Sequence, residues 1–245
     1  MPLILALSGV FVRQPIGGEF AMRRKVSDYI LDQCLSESGV KYGIDISMTI
    51  HALDGAFKVG EVFLGQKFHK PSFPKIMPMF SQVSQAAFEA TRLYFDKKRI
   101  STGKYVKLKS ADHSGIDQTG AFSHKAKIPL LLAGSIRALK IEEESYRNIL
   151  GETFPLVQKR LNSAEPRFDS DIWAEVLGKF IRKMLITDED EPLFKKMGHF
   201  LAQIFIWRAS TFWLEAENLS AEEAEKRILI QAKIIQKNLS LIFSN

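Results

Sequence analysis

The chain has 245 residues, 46% hydrophobic and 25% charged, an ordinary soluble globular composition with enough apolar material for one large domain or two modest ones. Its 34 Lys and Arg against 28 Asp and Glu give +6, a basic excess that suits phosphorylated small molecules or an anionic surface. The basic clusters, such as Arg23-Arg24-Lys25 and Lys97-Lys98-Arg99, carry no nucleic-acid-binding motif, the single cysteine, Cys34, excludes an intramolecular disulfide, and no apolar run reaches the ~20 residues of a membrane-spanning helix, so a cytoplasmic location without nucleic-acid partners or a transmembrane segment is expected.

Met1 to Val12 is apolar, has no basic region ahead of it and runs directly into Arg13-Gln14-Pro15, so it reads as buried structure and not as a signal peptide. Gly9 to Gln14 predicts a short strand entering a tight loop at Pro15 and Gly17-Gly18. Glu19 to Leu35 has Phe20, Val26, Ile30 and Leu31 at helical spacing, with Gly39 as a stop. Gly43 opens a second helix that Gly55 closes; Lys58 to Phe63 alternates as a strand, and Gln66 to His69 continues as an extended piece. After Pro71, Pro74 and Pro78, Met79 to Phe95 predicts a long amphipathic helix.

Residues Lys97 to Lys127 are polar and weakly periodic and read as a loop or insertion. Beyond Pro129 the pattern is helical over Leu130–Ala138, Glu142–Leu150, Pro155–Leu161, Asp171–Leu185, Leu193–Glu215 and Ala221–Phe243. Asp169 or Ser170 can cap the helix that carries Trp173, and Ser220 precedes Glu222-Glu223 as a capping signal. Trp173, Trp207 and Trp213 lie on apolar helical faces and are expected in the core. The fold class that follows is α+β, mostly helical, with a small sheet from the early segments. The expected organisation is 1–96, a polar loop or insertion at 97–128, and a helical region at 129–245.

Three segments place polar groups at the ends of elements: Arg13 to Ala21, Tyr42 to Ile46, and Leu64 to His69. Adjacent glycines, Gly17 and Gly18, let backbone N–H groups approach a phosphate or sugar hydroxyl where a helix begins, and the same pair also reads as a plain turn. Asp45 falls in a first helical turn, where the helix dipole favours a carboxylate, whether it faces a pocket or only stabilises the helix. His69 can offer an imidazole nitrogen to a divalent metal. Asp112, His113, Asp117 and His124 in the polar loop have metal-binding chemistry without a recognised ligand spacing.

The order and wording of these segments resemble the second half of GT-A-fold glycosyltransferases of family 2, of the group related to glucosyl-3-phosphoglycerate synthase and mannosylglycerate synthase. A QPxxGEF-like stretch, a GYGxD/E stretch and an LGxKxH stretch appear as Gln14–Phe20, Tyr42–Asp45 and Leu64–His69. Met79-Phe80-Ser81-Gln82-Val83, Trp207 to Phe212 and Ala224-Glu225 also resemble that group. The resemblance implies transfer of a sugar from a nucleotide-sugar donor to a small, glycerate-like acceptor. It implies His69 as the protein ligand of Mg²⁺ or Mn²⁺ and Asp45 as the acidic group at the sugar or acceptor hydroxyls. Gly17, Gly18 and Glu19, with Tyr42 and Gly43, would line the substrate pocket, and Arg23 and Arg24 would contact an anionic acceptor.

Such an enzyme needs a nucleotide-binding half ending in Asp-x-Asp ahead of the Gln14 segment, and about a dozen residues stand there. Asp169-Ser170-Asp171 and Asp188-Glu189-Asp190 have the letters but follow His69 in the helical region, and read as a helix cap and an acidic loop. The expectation is therefore a truncated GT-A domain followed by a helical region, inactive alone because a lone imidazole holds an oxygen-preferring Mg²⁺ poorly. Its exposed apolar surface would be covered by a missing N-terminal half or another copy. The alternative is a non-catalytic binding or oligomerisation module built on Leu193–Glu215 and Ala221–Phe243.

Overall fold

In a computed structural model of the chain, the structure describes residues 2–33, 39–62, 64, 76–96, 106–107, 128–186 and 191–243. The chain divides into two compact units, Met1–Asp117 and Gln118–Asn245, with the division inside the polar segment. The described residues are mostly helical with one very small sheet, an α+β arrangement. No helix among them is long and apolar enough to cross a membrane.

The first unit begins with α1 (Pro2–Ser8), which buries Ile4, Leu5, Ala6 and Leu7. Gly9, at φ +73°, turns the chain out of the helix with a backbone that L side chains resist, and β1 (Val10–Phe11) follows. β1 pairs in parallel with β2 (Val106–Lys107), Val10 opposite Val106 and Phe11 opposite Lys107. β2 lies in the stretch read as a loop; the alternation of Tyr105-Val106-Lys107-Leu108-Lys109 was the available signal. Three helices complete the unit, α2 (Arg24–Leu31), α3 (Ile44–Asp54) and α4 (Ile76–Asp96), with α3 packed against α1, α2 and α4. α3 is bracketed by Gly43 and Gly55, as the sequence predicts. Pro78 sits in the first turn of α4, where its missing N–H removes no helical bond.

Two further expectations for this unit are corrected. The helix predicted from Glu19 starts only at Arg24, because Phe20 finds no core to pack on and stays exposed, and Arg23 holds an extended conformation (φ −73°, ψ 149°). The strand predicted over Lys58–Phe63 is reduced, among the described residues, to a bridge at Glu61, whose side chain serves another purpose.

The second unit contains α5 (Ile128–Ile141), α6 (Glu143–Leu150), a 3₁₀ turn (Gly151–Thr153), α7 (Phe154–Leu161), α8 (Ser170–Ile186), α9 (Glu191–Ala216) and α10 (Ala221–Phe243). α8 presents Trp173, Val176, Leu177, Phe180, Ile181 and Met184 at helical spacing, all buried, and packs against α6, α9 and α10, while α5 packs along α9. The joint between α6 and α7 is Gly151 at φ +53°, ψ −122°, a conformation costly to any residue with a Cβ. Ser135 on α5 donates to the buried carbonyl of Gln203 on α9.

Trp173 and Trp207 are core residues as predicted, but Trp213 is 36% exposed. Six residues along a helix turn the side chain through about 240°, so a helix that buries Trp207 carries Trp213 on another side. At the start of α8 the expected caps are engaged elsewhere: Asp169 pairs with Arg160, and the Ser170 hydroxyl meets Arg208 and Gln231.

At the start of α10 the capping box forms in full. Ser220 N–H donates to Glu223 Oε2 at 2.8 Å and Glu223 N–H donates to Ser220 Oγ at 3.2 Å. The Ser220 hydroxyl and amide hold the Glu223 carboxyl below its usual range. A depressed folded-state pKa means the box stabilises the folded helix at neutral pH and that this contribution is lost as the pH falls through it. Ser220→Ala should therefore speed amide exchange in the first turn of α10 near neutrality, with the difference from the parent protein shrinking in acid.

Candidate functional site

The first unit gathers two of the three sequence segments around the N-terminal half of α3. Glu61 Oε1 accepts from the backbone N–H groups of Arg13 (2.8 Å) and Gln14 (3.0 Å), fixing the chain just before Pro15. Two neighbouring backbone N–H groups thus meet one carboxylate oxygen, a charge-assisted arrangement stronger than a neutral one. The carbonyl of Pro15 and that of Asp45 both lie 3.0 Å from the buried Thr49 hydroxyl, whose single proton is shared between them. The Gln14–Phe20 stretch is thereby tied to α3 one turn beyond Asp45.

Beyond this anchor the backbone turns at Gly18, φ +78°, where a side chain would be strained. A Cβ at Gly17 would stand 3.3 Å from the carbonyl of Gln14, so that glycine keeps the turn tight. Gly17, Gly18, Glu19 and Arg23 are all exposed. The Tyr42–Asp45 stretch forms the turn into α3: Gly43 is buried at the N-cap without a side-chain cap, Asp45 is half-buried in the first turn, and Tyr42 is about half exposed. Tyr42 N–H donates to Gln82 Oε1 of α4 at 3.3 Å, which joins the turn to the Met79–Val83 segment.

Of the third segment the structure describes only Leu64, which is exposed. His69, with 65–68, lies outside the described residues, as do Cys34, Asp112, His113, Asp117, His124 and the 188–190 acidic run. Among the described residues no group of three or more His, Cys, Asp or Glu side chains is placed to hold a metal ion. The described residues therefore do not by themselves fit Mg²⁺ or Mn²⁺, which need several oxygen ligands.

Three residues that matter here have no sequence signal of their own. Glu61, Thr49 and Gln82 act through hydrogen bonds spanning 34 to 48 residues, which leave no period to read. Farther along α3, buried Asp54 accepts from the Tyr29 hydroxyl at 2.9 Å, and buried His51 stands one turn earlier. The neighbouring Tyr94 hydroxyl is pushed well above the ordinary phenol range by burial, with Asp54 and Tyr29 adding to the shift. Polar residues at helical spacing within an apolar helix were the available clue.

Replacing Glu61 with Ala should loosen the anchor. The expected loss is about 1–2 kcal/mol, the range for a hydrogen-bonded charged group that is only partly buried. It should appear as faster hydrogen exchange at the Arg13 and Gln14 amides, with the α3 amides much less affected.

No family model, curated protein or solved structure matches the chain.

Proposed function

We propose that this chain carries the acceptor-side elements of a GT-A-type glycosyltransferase that moves a sugar from a nucleotide-sugar donor to a small, glycerate-like acceptor. The observation that supports this reading is the Thr49–Pro15 hydrogen bond, which holds the glycine-containing stretch beside the helix whose entry turn is Tyr42–Asp45. Asp45 would accept a hydrogen bond from a sugar or acceptor hydroxyl and orient it. Exposed backbone at Gly17 and Gly18, with Glu19 and Tyr42, would border the sugar, and Arg23 would meet an acceptor carboxylate or phosphate. The reading requires an Asp-x-Asp-bearing nucleotide half outside these residues, and it assigns Mg²⁺ or Mn²⁺ to that half together with His69.

The test uses the full-length gene product as it occurs in its cells. Transfer of labelled hexose from uridine- and guanosine-diphosphate sugars to glycerate and phosphoglycerate is followed with and without a chelator. The expected results are chelator-sensitive product and a loss of at least ~100-fold in kcat/KM for Asp45→Asn, the scale for a positioned acid–base or hydroxyl-binding group. Absence of product from every donor–acceptor pair, or an Asp45→Asn enzyme of unchanged activity, overturns the reading.

A second reading, a non-catalytic docking or oligomerisation module, is favoured by the exposure of adjacent Trp213 and Leu214 near the end of α9. Sedimentation equilibrium would then show a self-associating chain that Trp213→Ser converts to a monomer. A monomeric parent protein removes the oligomerisation form of this reading.

A further inference from the structure

Every residue from Ile16 to Met22 is exposed, and three of the seven are large and apolar: Ile16 (44%), Phe20 (42%) and Met22 (39%). A single exposed apolar side chain is unremarkable on a protein surface. Three within seven residues, outside any helix or strand, form a presented set. The base of this loop is pinned by Glu61 at Arg13 and Gln14 and by Thr49 at Pro15, and Gly18 sets its turn. Preorganisation of that kind reduces the entropy lost when the loop docks.

Three cations follow without a break. Arg23, Arg24 and Lys25 are all exposed; Arg24 has 93% of its side chain in solvent and reaches Asp28 at 3.6 Å, an exposed pair that contributes little. They occupy the N-terminal end of α2, which has no acidic residue in its first turn and no side-chain cap. Cations there oppose the helix dipole, so helix stability does not account for them.

We propose that the loop Ile16–Met22 and the Arg23-Arg24-Lys25 cluster dock the protein peripherally on an anionic lipid bilayer surface. The boundary between headgroups and acyl chains accepts both halves of the feature: apolar side chains enter it while the basic groups meet lipid phosphates. A nucleic-acid backbone would engage the cations but leave Ile16, Phe20 and Met22 in water. The net charge of +6 acts in the same direction. This inference does not rest on the transferase reading; it gives Arg23 a lipid phosphate in place of the acceptor group named above, so lipid and acceptor would compete for that side chain.

The test is cosedimentation of the purified protein with vesicles of phosphatidylcholine alone and of equimolar phosphatidylcholine and phosphatidylglycerol, at low ionic strength. Binding is expected to the anionic vesicles and not to the neutral ones, and it should weaken as salt is raised. A basic residue near such a surface is worth roughly fivefold in partition, so the combined Arg23→Gln, Arg24→Gln and Lys25→Gln variant should lose about 100-fold. Phe20→Ser with Met22→Ser should lose roughly tenfold. Circular dichroism and thermal melting of both variants should match the parent protein, because none of the altered side chains belongs to the buried core. No binding to anionic vesicles, equal binding to both kinds, or full binding by both variants overturns the proposal. So does a chain that self-associates through Phe20 and Met22, which would make a second copy the occupant.

Discussion

Arg208→Ala is expected to destabilise the second unit by about 3–5 kcal/mol, the range for removing one partner of a buried charged pair. Arg208 is 3% exposed, and all five of its N–H donors are used. Nε donates to Gln231 Oε1 at 3.0 Å. One terminal nitrogen donates to the Phe168 carbonyl (3.1 Å) and Glu215 Oε1 (3.1 Å), the other to Ser170 Oγ (3.0 Å) and Glu215 Oε2 (3.2 Å). One guanidinium therefore joins the entrance of α8, the end of α9 and the middle of α10. Truncation leaves a partly buried carboxylate and a buried carbonyl without their donor, which is why the loss exceeds that of an exposed ion pair. Arg208→Lys should recover only a small part, since an ammonium cannot reproduce the planar fork on Glu215. All three tryptophans lie in this unit, so tryptophan emission during urea denaturation reads its unfolding selectively. A change below about 1 kcal/mol would show that the network is dispensable.

The second large effect is expected at Trp207, with Trp213 as its internal control. Trp207 is fully buried, its indole N–H donates to the Pro166 carbonyl at 2.6 Å, and its ring lies 4.5 Å from that of buried Phe168. Trp207→Ala removes that packing and orphans a carbonyl, at about 3–5 kcal/mol. Trp213→Ala should cost distinctly less, because that side chain already keeps about a third of its surface in solvent and leaves no closed cavity. Equal losses at the two positions would refute this placement of the α9 faces. Because Trp207 and Arg208 both hold the segment at 166–168, their combined effect should fall short of the sum.

Much of the fold is written locally. Gly43 and Gly55 mark both ends of α3, Ser220 and Glu223 mark the start of α10, and α8 follows the 3.6-residue period of its apolar side chains. What escaped reading depends on distant partners. Val106–Lys107 is a strand because Val10–Phe11 lies beside it, and Phe20 leaves its helix because no core reaches it. The Arg208 network has a faint local trace in the seven-residue spacing from Arg208 to Glu215, whereas Gln231 and Ser170 add themselves only in three dimensions. The candidate site divides in the same way. Its polar and glycine stretches are visible as words, while the Glu61 and Thr49 anchors that assemble them come from elsewhere in the chain.

The β1–β2 pairing carries a kinetic consequence. Its partners stand about 95 residues apart, yet each strand is two residues long. Closing so long a stretch of chain surrenders several kcal/mol of entropy, on the order of that for any loop of this length, and so short a ladder returns little until its surroundings are built. Within the first unit, nearby α2, α3 and α4 can meet early, and the parallel ladder is then the last ordered element to close. Pulse-labelled hydrogen exchange during refolding should find the amides of Val106 and Lys107 protected after those of α3.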